Sequence, residues 1–414
     1  MLKETSQAPD RIRVPALVVF AAFLKLGLSS FGGPLAHIAY FRREFVDRRG
    51  WLRDSQFTDI VALCHFLPGP TSSQTGFAIG LTTAGPLGAL AAFIGFTFPS
   101  AVLMLGAAYA STFLSGPALP ALVHGLNLVA VAIVAQAILL MARTNLRSLP
   151  LAAIALLALT GVLTGGAYAA PAMIAIAALT GLILPPTGPP PRSHTPARTR
   201  TAHNAARNAA HTTLAPSVAL FALFLGLLIL LPTLRQLAPG PAIATADGFY
   251  RTGALVFGGG HAVLPLIETE TPGIAHADFL AGYGAAQALP GPLFSFAAFA
   301  GALNAPTPPS IALGLVALGA IFLPGFLLVG AALPIWSRLR SNRRAARLVS
   351  FAGAAVVGVL AAAWWTPVVA SAVLSPWDAI IALAGFGLLL IPRMPVLAVV
   401  AGVAASGAIA QVLH

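Results

Sequence analysis

The chain has 414 residues, of which 58% are hydrophobic and only 8% are charged. Soluble domains carry about 25% charged residues, so this composition excludes an ordinary soluble enzyme or binding domain. The net charge of +12 comes from Lys and Arg in short loops between apolar runs, which fits the positive-inside bias of membrane proteins better than nucleic-acid binding.

Apolar runs of membrane-spanning length predict an all-α, polytopic transmembrane protein. The polar segment 1–13 has no cleavage site behind it, so we expect it to be retained. The first half then contains predicted spans at 86–111, 117–142, 149–166 and 167–184. Residues 185–216 are rich in Pro, Thr, Asn and Arg and lack acidic residues, which predicts a cytoplasmic linker. The chain continues with predicted spans at 217–234, 309–335, 348–370, 377–391 and 394–413.

The two halves repeat one another at a spacing of 226 residues. Residues 27–38 (GLSSFGGPLAHI) align without a gap with residues 253–264 (GALVFGGGHAVL), and residues 57–70 and 279–292 both end in LPGP. A proline within a long apolar run also recurs, as Pro99 and Pro324. The predicted units are a first repeat at 1–184, the linker at 185–216, a single helix at 217–234 and a second repeat at 245–414.

The single helix at 217–234 adds one crossing, so we expect two inverted-topology repeats, with the N-terminus inside and the C-terminus outside. This plan is typical of secondary transporters. Glycine or proline breaks the segments at 15–41, 57–82, 247–267 and 279–303. If the two FGG segments, 15–41 and 247–267, crossed the membrane fully, the basic loop at 42–53 would lie outside and the acidic loop at 268–278 inside. Both placements contradict the positive-inside bias. We therefore expect re-entrant hairpins, while the 16-residue arm at 15–30 leaves a full crossing of the FGG segments open.

The repeated breaks are the first candidates for a binding site. Glycines in FGG let backbone N–H groups converge on a ligand, and PGP lets a following helix N-terminus point toward mid-membrane, so both suit an anion. Close helix packing and simple kinks are the structural alternatives. The ordered recurrence of both motifs favours a site built from Phe31, Gly32, Gly33, Pro68, Gly69, Pro70, Thr71, Ser72, Gln74, Phe257, Gly258, Gly259, Pro290, Gly291, Pro292 and Ser295.

Two cations inside apolar sequence are the second group of candidates. Lys25 and Arg251 occupy the same repeat position, six residues before FGG, and together would neutralise a dianion. The alternative is that each side chain extends to the nearer membrane surface.

Histidines and acidic residues supply candidates for proton transfer. Imidazoles in apolar surroundings are able to relay protons near neutral pH, although each is also suited to be a hydrogen-bonded core histidine. These residues are His37, His65, His124 and His261, of which we assign His37 and His261, beside the FGG motifs, to the binding site. The acidic alternatives near segment ends are Asp59, Glu268 and Glu270.

The sequence resembles the chromate ion transporter family over both halves, in FGGPLAHIAYFRREFVDRRGWL at 31–52, LPGPTSSQ at 67–74, FGGGHAVLPLI at 257–267 and LPGPL at 289–293. The resemblance implies a multi-pass protein of the bacterial inner membrane that moves chromate, driven by the membrane potential or a proton gradient, in efflux that confers resistance. It implies an oxyanion and the lipid bilayer as partners, a proton as candidate coupling ion, and no nucleic acid, and it leaves a homodimer open. In the repeat alignment, Pro34 and His37 of the first half correspond to Gly260 and Val263 of the second. The two halves therefore differ, and we expect an asymmetric site.

Three other functions share some of these sequence features. A transporter for another oxyanion, such as sulfate, has the same sequence features and stays open. A membrane-embedded enzyme is disfavoured because the 11 acidic residues lie mostly in loops, no HExxH motif occurs, and the single cysteine, Cys64, excludes a thiolate metal cluster. We expect neither a catalytic site, a metal nor a cofactor. A channel shares re-entrant loops and would be recognised by unitary conductance.

Overall fold

The computed structural model describes residues 14–31, 33–113, 118–165, 169–183, 200–256, 263–307, 309–336, 342–391 and 394–413. The regular structure in these ranges is helical. The helices of the first half are α1 (Ala16–Ser29), α2 (Gly33–Arg42), α3 (Asp54–Phe66), α4 (Thr71–Phe113), α5 (Ala118–Asn145), α6 (Leu149–Thr164) and α7 (Ala169–Ile183). Those that follow are α8 (Arg200–Leu237), α9 (Pro241–Leu255), α10 (Leu264–Glu270), α11 (His276–Ala288), α12 (Phe296–Leu303), α13 (Ile311–Ala332), α14 (Arg343–Ala363), α15 (Pro376–Leu389) and α16 (Val396–Leu413).

The apolar helices coincide with the predicted spans. Within α4, α5, α8, α13 and α14 the structure contains stretches long and apolar enough to cross a membrane, and α6, α7, α15 and α16 are shorter apolar helices. Large apolar side chains such as Leu87, Leu149 and Ile183 are exposed on their surfaces, as expected of a face that contacts lipid rather than water. The chain is therefore a multi-pass membrane protein.

Helix α8 is longer than the sequence predicts. It begins at Arg200, inside the expected linker 185–216, and continues through Pro216 to Leu237. The alanine-rich sequence at 202–210 has high helix propensity, which explains why the helix extends beyond the apolar span.

Helix α4 consists of two arms. A straight helix of its 43 residues would be about 65 Å long, twice the thickness of the hydrocarbon core. At Gly85 the backbone leaves the helical region (φ 70°, ψ −161°), and Gly80 packs directly against Gly88 on the other side of the break. The chain therefore reverses there, and arms 71–84 and 86–113 lie side by side.

The chain also reverses at the FGG motifs. The rings of Phe23 and Phe45 stack with centroids 4.7 Å apart, whereas a straight helix would separate these residues by about 33 Å. In the second half, Nη2 of Arg251 lies 3.1 Å from Oε1 of Glu270 across the same break. Helices α2 and α10 thus fold back onto α1 and α9.

The PGP motifs reverse the chain in the same way. Helices α3 and α4, which flank the first motif, pack on each other. Across the second, the rings of Tyr283 and Phe296 lie 5.7 Å apart, and Gly282 packs against Phe299. Each half therefore contains two broken hairpins, bent at FGG and at PGP.

The two halves interlock by exchanging equivalent contacts. Helix α5 of the first half packs on α15 and α16 of the second, and α14 of the second packs on α6 and α7 of the first. The first-half helix α4 also packs on α12 and α13, where the rings of Phe77 and Phe326 stack 4.3 Å apart. This reciprocal packing brings the broken hairpins of both halves together.

Candidate substrate site

Two hydrogen bonds join the motifs of one half to those of the other. The Gly69 amide donates to the Val256 carbonyl at 2.6 Å, and the Gly291 amide donates to the Ser30 carbonyl at 2.9 Å. Ser30 and Val256 are the residues immediately before the two FGG motifs, and Gly69 and Gly291 are the central residues of the two PGP motifs. We call this reciprocal pair of hydrogen bonds the clasp. It brings all four breaks to one region.

The clasp requires glycine at both PGP positions. Gly69 and Gly291 have φ of 122° and 98°, a conformation that costs other residues about 1–3 kcal/mol. A Cβ on Gly69 would lie 3.1 Å from Cα of Gly325, and one on Gly291 would lie 2.9 Å from Oγ of Ser100. Because Gly325 and Ser100 follow the recurring prolines Pro324 and Pro99, each PGP motif packs on the proline-bearing helix of the other half.

One side of the clasp carries a group of buried polar side chains, which we call the Ser30 cluster: Ser30, His37, Thr97, Ser100 and Ser295. Their residues are at most 2% exposed. Oγ of Ser30, Oγ1 of Thr97 and both ring nitrogens of His37 have no hydrogen-bond partner within the described ranges, although the Ser30 backbone interacts with the His37 ring. Oγ of Ser100 and Oγ of Ser295, from opposite halves, lie 2.6 Å apart.

The unpartnered hydroxyl of Thr97 is unusual within its own helix. The hydroxyls of Thr75, Thr82 and Thr83 each donate to the carbonyl four residues earlier, which is the normal outcome for threonine in an apolar helix. A buried polar group without a partner costs about 1–3 kcal/mol. The orphaned atoms therefore make the Ser30 cluster a candidate site for a polar ligand.

The other side of the clasp carries Ser73 and Gln74. Nε2 of Gln74 donates to the carbonyls of Pro68 at 2.8 Å and Gly325 at 3.3 Å, which ties the start of α4 to α13. Oε1 of Gln74 and Oγ of Ser73 are buried and lack a hydrogen-bond partner in the described structure. The two sides are alike in backbone but carry different side chains, so the region is asymmetric.

The two predicted cationic residues, Lys25 and Arg251, have different surroundings in this structure. Nε and Nη2 of Arg251 lie 2.9 and 3.0 Å from the two carboxylate oxygens of Asp247, and Nη2 also contacts Glu270. Arg235 completes the group at 3.2 Å from Asp247, so two cations face two carboxylates. Lys25 is exposed on α1. Since its charge is already balanced, Arg251 is not free to neutralise a dianion with Lys25 in this conformation.

The other predicted site residues lie at or beside the breaks. Thr71, Ser72, Pro70 and Pro292 are buried, while Phe31, Pro68 and Pro290 are half-buried. Gly33 has φ of 78° at the start of α2. Five predicted site residues lie outside the described residues, namely Gly32, Phe257, Gly258, Gly259 and His261.

Two histidines have structural partners away from the clasp. His65 is exposed, and its Nδ1 lies 2.8 Å from the Val61 carbonyl. His124 is buried, and its Nε2 lies 2.8 Å from Oδ1 of Asp378, which connects α5 to α15. His124 therefore has the environment of a hydrogen-bonded core histidine, whereas His65 lies at the surface.

Sequence reasoning missed Ser30, Thr97 and Ser100. Ser30 precedes FGG directly, and Ser100 follows the recurring Pro99, so adjacency to the repeated landmarks was the available signal. Thr97 carried no such signal, because threonine in an apolar helix normally bonds to its own backbone.

An apolar cavity of about 840 Å³ lies elsewhere, between α5, α6, α14 and α15. Val131, Leu159, Trp364 and Phe386 are among its lining residues, which are all hydrophobic. A wall without polar groups does not compensate an anion for lost hydration, so this cavity is not an oxyanion site.

Comparison with known proteins agrees with the repeat. Residues 17–182 and 243–408 each match the chromate transporter family, at the spacing found within the sequence. A chromate transport protein of Pseudomonas aeruginosa is 28% identical over 86% of this chain and 82% of its own length. A probable chromate transport protein of Synechococcus elongatus is 26% identical over 82% and 81%. A chromate transport protein of Cupriavidus metallidurans is 32% identical over 40% of this chain and 41% of its own.

No solved structure matches the chain significantly. The double match covers most of the sequence and includes all four breaks that meet at the clasp. The chain therefore belongs to the chromate transporter family.

Proposed function

We propose that this protein is a secondary active transporter that exports chromate across the bacterial inner membrane and so confers chromate resistance. The observation that carries the proposal is the clasp, which joins the breaks of both halves beside buried polar atoms without partners. The similarity to proteins named for chromate transport supports the choice of oxyanion.

The proposed topology follows from the chain reversals. If the FGG and PGP hairpins re-enter, the first half has four crossings, in the second arm of α4 and in α5, α6 and α7. Helix α8 adds a fifth crossing, so the second half begins on the opposite side and is inverted. The N-terminus then lies inside and the C-terminus outside. Arg143 in the last turn of α5, Arg147 just after it, and Arg343 and Arg344 at the start of α14 fall on the cytoplasmic side, in agreement with the positive-inside bias.

Hydroxyl, amide and backbone donors are the proposed ligands of the anion. The Ser30 cluster offers the hydroxyls of Ser30 and Thr97, and helix α4 begins at Thr71 directly after PGP. The first N–H groups of a helix have no partner within the helix. A helix N-terminus favours an anion through these donors and its partial positive charge. Binding through neutral donors does not require the cationic pair, which agrees with the ion pairs of Arg251.

The clasp also suggests how access alternates. Each hydrogen bond links the PGP hairpin of one half to the FGG hairpin of the other, so rocking one half against the other strains the two links differently. Movement of one repeat around a fixed central site is the usual mechanism of inverted-repeat transporters. Export of a dianion is favoured by an inside-negative potential by about 4.6 kcal/mol per 100 mV, because two charges cross.

The proposal is tested with radiolabelled chromate in inside-out membrane vesicles, with and without the protein. Export in cells corresponds to accumulation in these vesicles, and we expect accumulation only when the protein is present and the potential is imposed in the export direction. Excess sulfate should compete, because it is also a tetrahedral dianion. If the vesicles accumulate sulfate but not chromate, sulfate is the substrate in place of chromate. If no oxyanion accumulates, the proposal is rejected.

A further inference from the structure

We infer that His37 takes up one proton when the oxyanion binds, so that the protein carries the proton and the anion in the same direction. The inference rests on the proposed function, since it concerns the same site. It adds the coupling ion, the residue that holds it and the stoichiometry.

His37 is buried without a counter-charge. It lies on α2, one turn after the FGG break, and is 1% exposed. Its ring meets Phe96 edge-on, with centroids 5.2 Å apart, and neither ring nitrogen makes a hydrogen bond of good geometry to a described residue. An imidazole in such surroundings is favoured in its neutral form while the site is empty, because burial penalises the charged form.

The ionisable groups on the elements packed around α2 are engaged elsewhere or directed outward. They lie on α1, on α3 and on the turn Arg43–Arg48, while the only ionisable group of α4, Tyr109, lies more than three turns from Phe96. Glu44 pairs with Arg48 and Arg49. Cys64 of α3 is buried, and the His37 ring has no hydrogen bond to it. The remaining groups are exposed and none bonds to the His37 ring: Lys25, Tyr40, Arg42, Arg43, Asp47, Asp54, Asp59 and His65.

A bound dianion would supply the missing counter-charge. Phe96, against which the His37 ring packs, is followed by Thr97, and its carbonyl lies against Gly291 of the clasp. His37 therefore belongs to the same neighbourhood as the orphaned hydroxyls. An anion within a few ångströms favours the imidazolium, which in turn donates a hydrogen bond to the anion. Proton and anion then bind cooperatively, and each strengthens the other by the same factor.

The stoichiometry follows from the asymmetry of the repeat. Val263, which is fully buried, occupies the position in the second half that His37 occupies in the first. A valine holds no proton, so this repeat position provides a single proton site for the whole protein. Carrying one proton with a dianion leaves one net negative charge, so an inside-negative potential still favours export, by about 2.3 kcal/mol per 100 mV.

Proton uptake measured on the purified full-length protein tests this inference. Chromate or sulfate is added to weakly buffered protein containing a pH indicator near pH 7.5, and the same preparation is used for an equilibrium binding assay. We expect uptake approaching one proton per bound anion, and an affinity that falls as pH rises, by up to about tenfold per pH unit. Sulfate is included because chromate itself takes up a proton near neutral pH.

Two variants at His37 and one control variant complete the experiment. His37→Gln should bind the anion more weakly, without proton uptake and with an affinity independent of pH, and His37→Asn provides a second neutral side chain. His65→Gln is the matched control, because that exposed histidine lies on the same half and should behave as wild type. Equal proton uptake in wild type and His37→Gln would overturn the inference. If the wild-type protein neither binds nor transports the anion, the proposed function is rejected instead.

Discussion

Replacement of Thr97 by valine should stabilise the protein and weaken oxyanion binding. Valine has the shape of threonine without the hydroxyl, and Oγ1 of Thr97 is buried with no partner among the described residues. Removing an orphaned buried polar group recovers about 1 kcal/mol or more of folding free energy. If the hydroxyl donates to a bound anion, its loss costs about 1.5–3 kcal/mol of binding free energy, or about 10- to 150-fold in affinity.

Thermal unfolding in detergent and equilibrium binding of chromate measure the two effects on the same preparations. Thr82→Val is the matched control, since that hydroxyl donates to the Ala78 carbonyl on the other arm of α4. It should leave anion affinity unchanged and give no gain in stability. The opposite result, a Thr97→Val protein that is less stable and binds chromate as wild type does, would show that the hydroxyl has a structural partner and no ligand role.

Three further changes test other parts of the structure. Gly291→Ala should lower the unfolding temperature and abolish transport, because φ of 98° and the nearby Ser100 hydroxyl exclude a Cβ. Gly319→Ala is the control and should do neither, because the space beside Gly319 is open. Equal behaviour of the two variants would show that the clasp is not needed for stability or transport. Arg251→Ala should destabilise the protein by about 2 kcal/mol, less than the ~3–5 kcal/mol of a fully buried pair because Arg235 still faces Asp247, and chromate affinity of the folded protein should be unchanged. Burial raises the pKa of Glu44, but hydrogen bonds from Arg49 and Arg48 outweigh it and hold the pKa below its ordinary value near 4.5. The stabilisation by Glu44 is therefore present above pH 4.5 and lost as the pH falls through the lower folded value. Glu44→Gln should unfold more easily than wild type at pH 7, and the difference should shrink as the pH is lowered below 4.5.

The sequence predicts the helical spans and the repeat because both depend on simple signals. The length of an apolar run determines whether a helix crosses the bilayer, and the 226-residue spacing identifies the equivalent breaks. Loop charge favours re-entrant hairpins, which stays a prediction. The contacts of Phe23 with Phe45 and of Arg251 with Glu270 show that the segments after the two FGG motifs fold back onto α1 and α9.

The side chains of the site are less predictable. Asp247 lies four residues before Arg251 on one helix face, and this spacing is a recognisable ion-pair signal that outweighs the repeat argument for a free cation. Thr97 and Ser100 come close to the breaks only because the two halves pack together. Local sequence patterns do not predict this packing. Residue Arg200 begins α8 where polar composition suggested a linker, because helix propensity and hydrophobicity are separate properties.

Cross-linking between Ser100 and Ser295 tests the meeting of the two halves most directly. Their hydroxyl oxygens lie 2.6 Å apart, so cysteines at both positions, in a protein with Cys64→Ala, are close enough to form a disulfide on mild oxidation. After proteolysis within residues 185–199, the two fragments should remain joined until a reductant is added, and chromate should slow formation of the bond. Fragments that separate without reductant, although both cysteines react with a thiol reagent, would contradict a site shared by the two repeats.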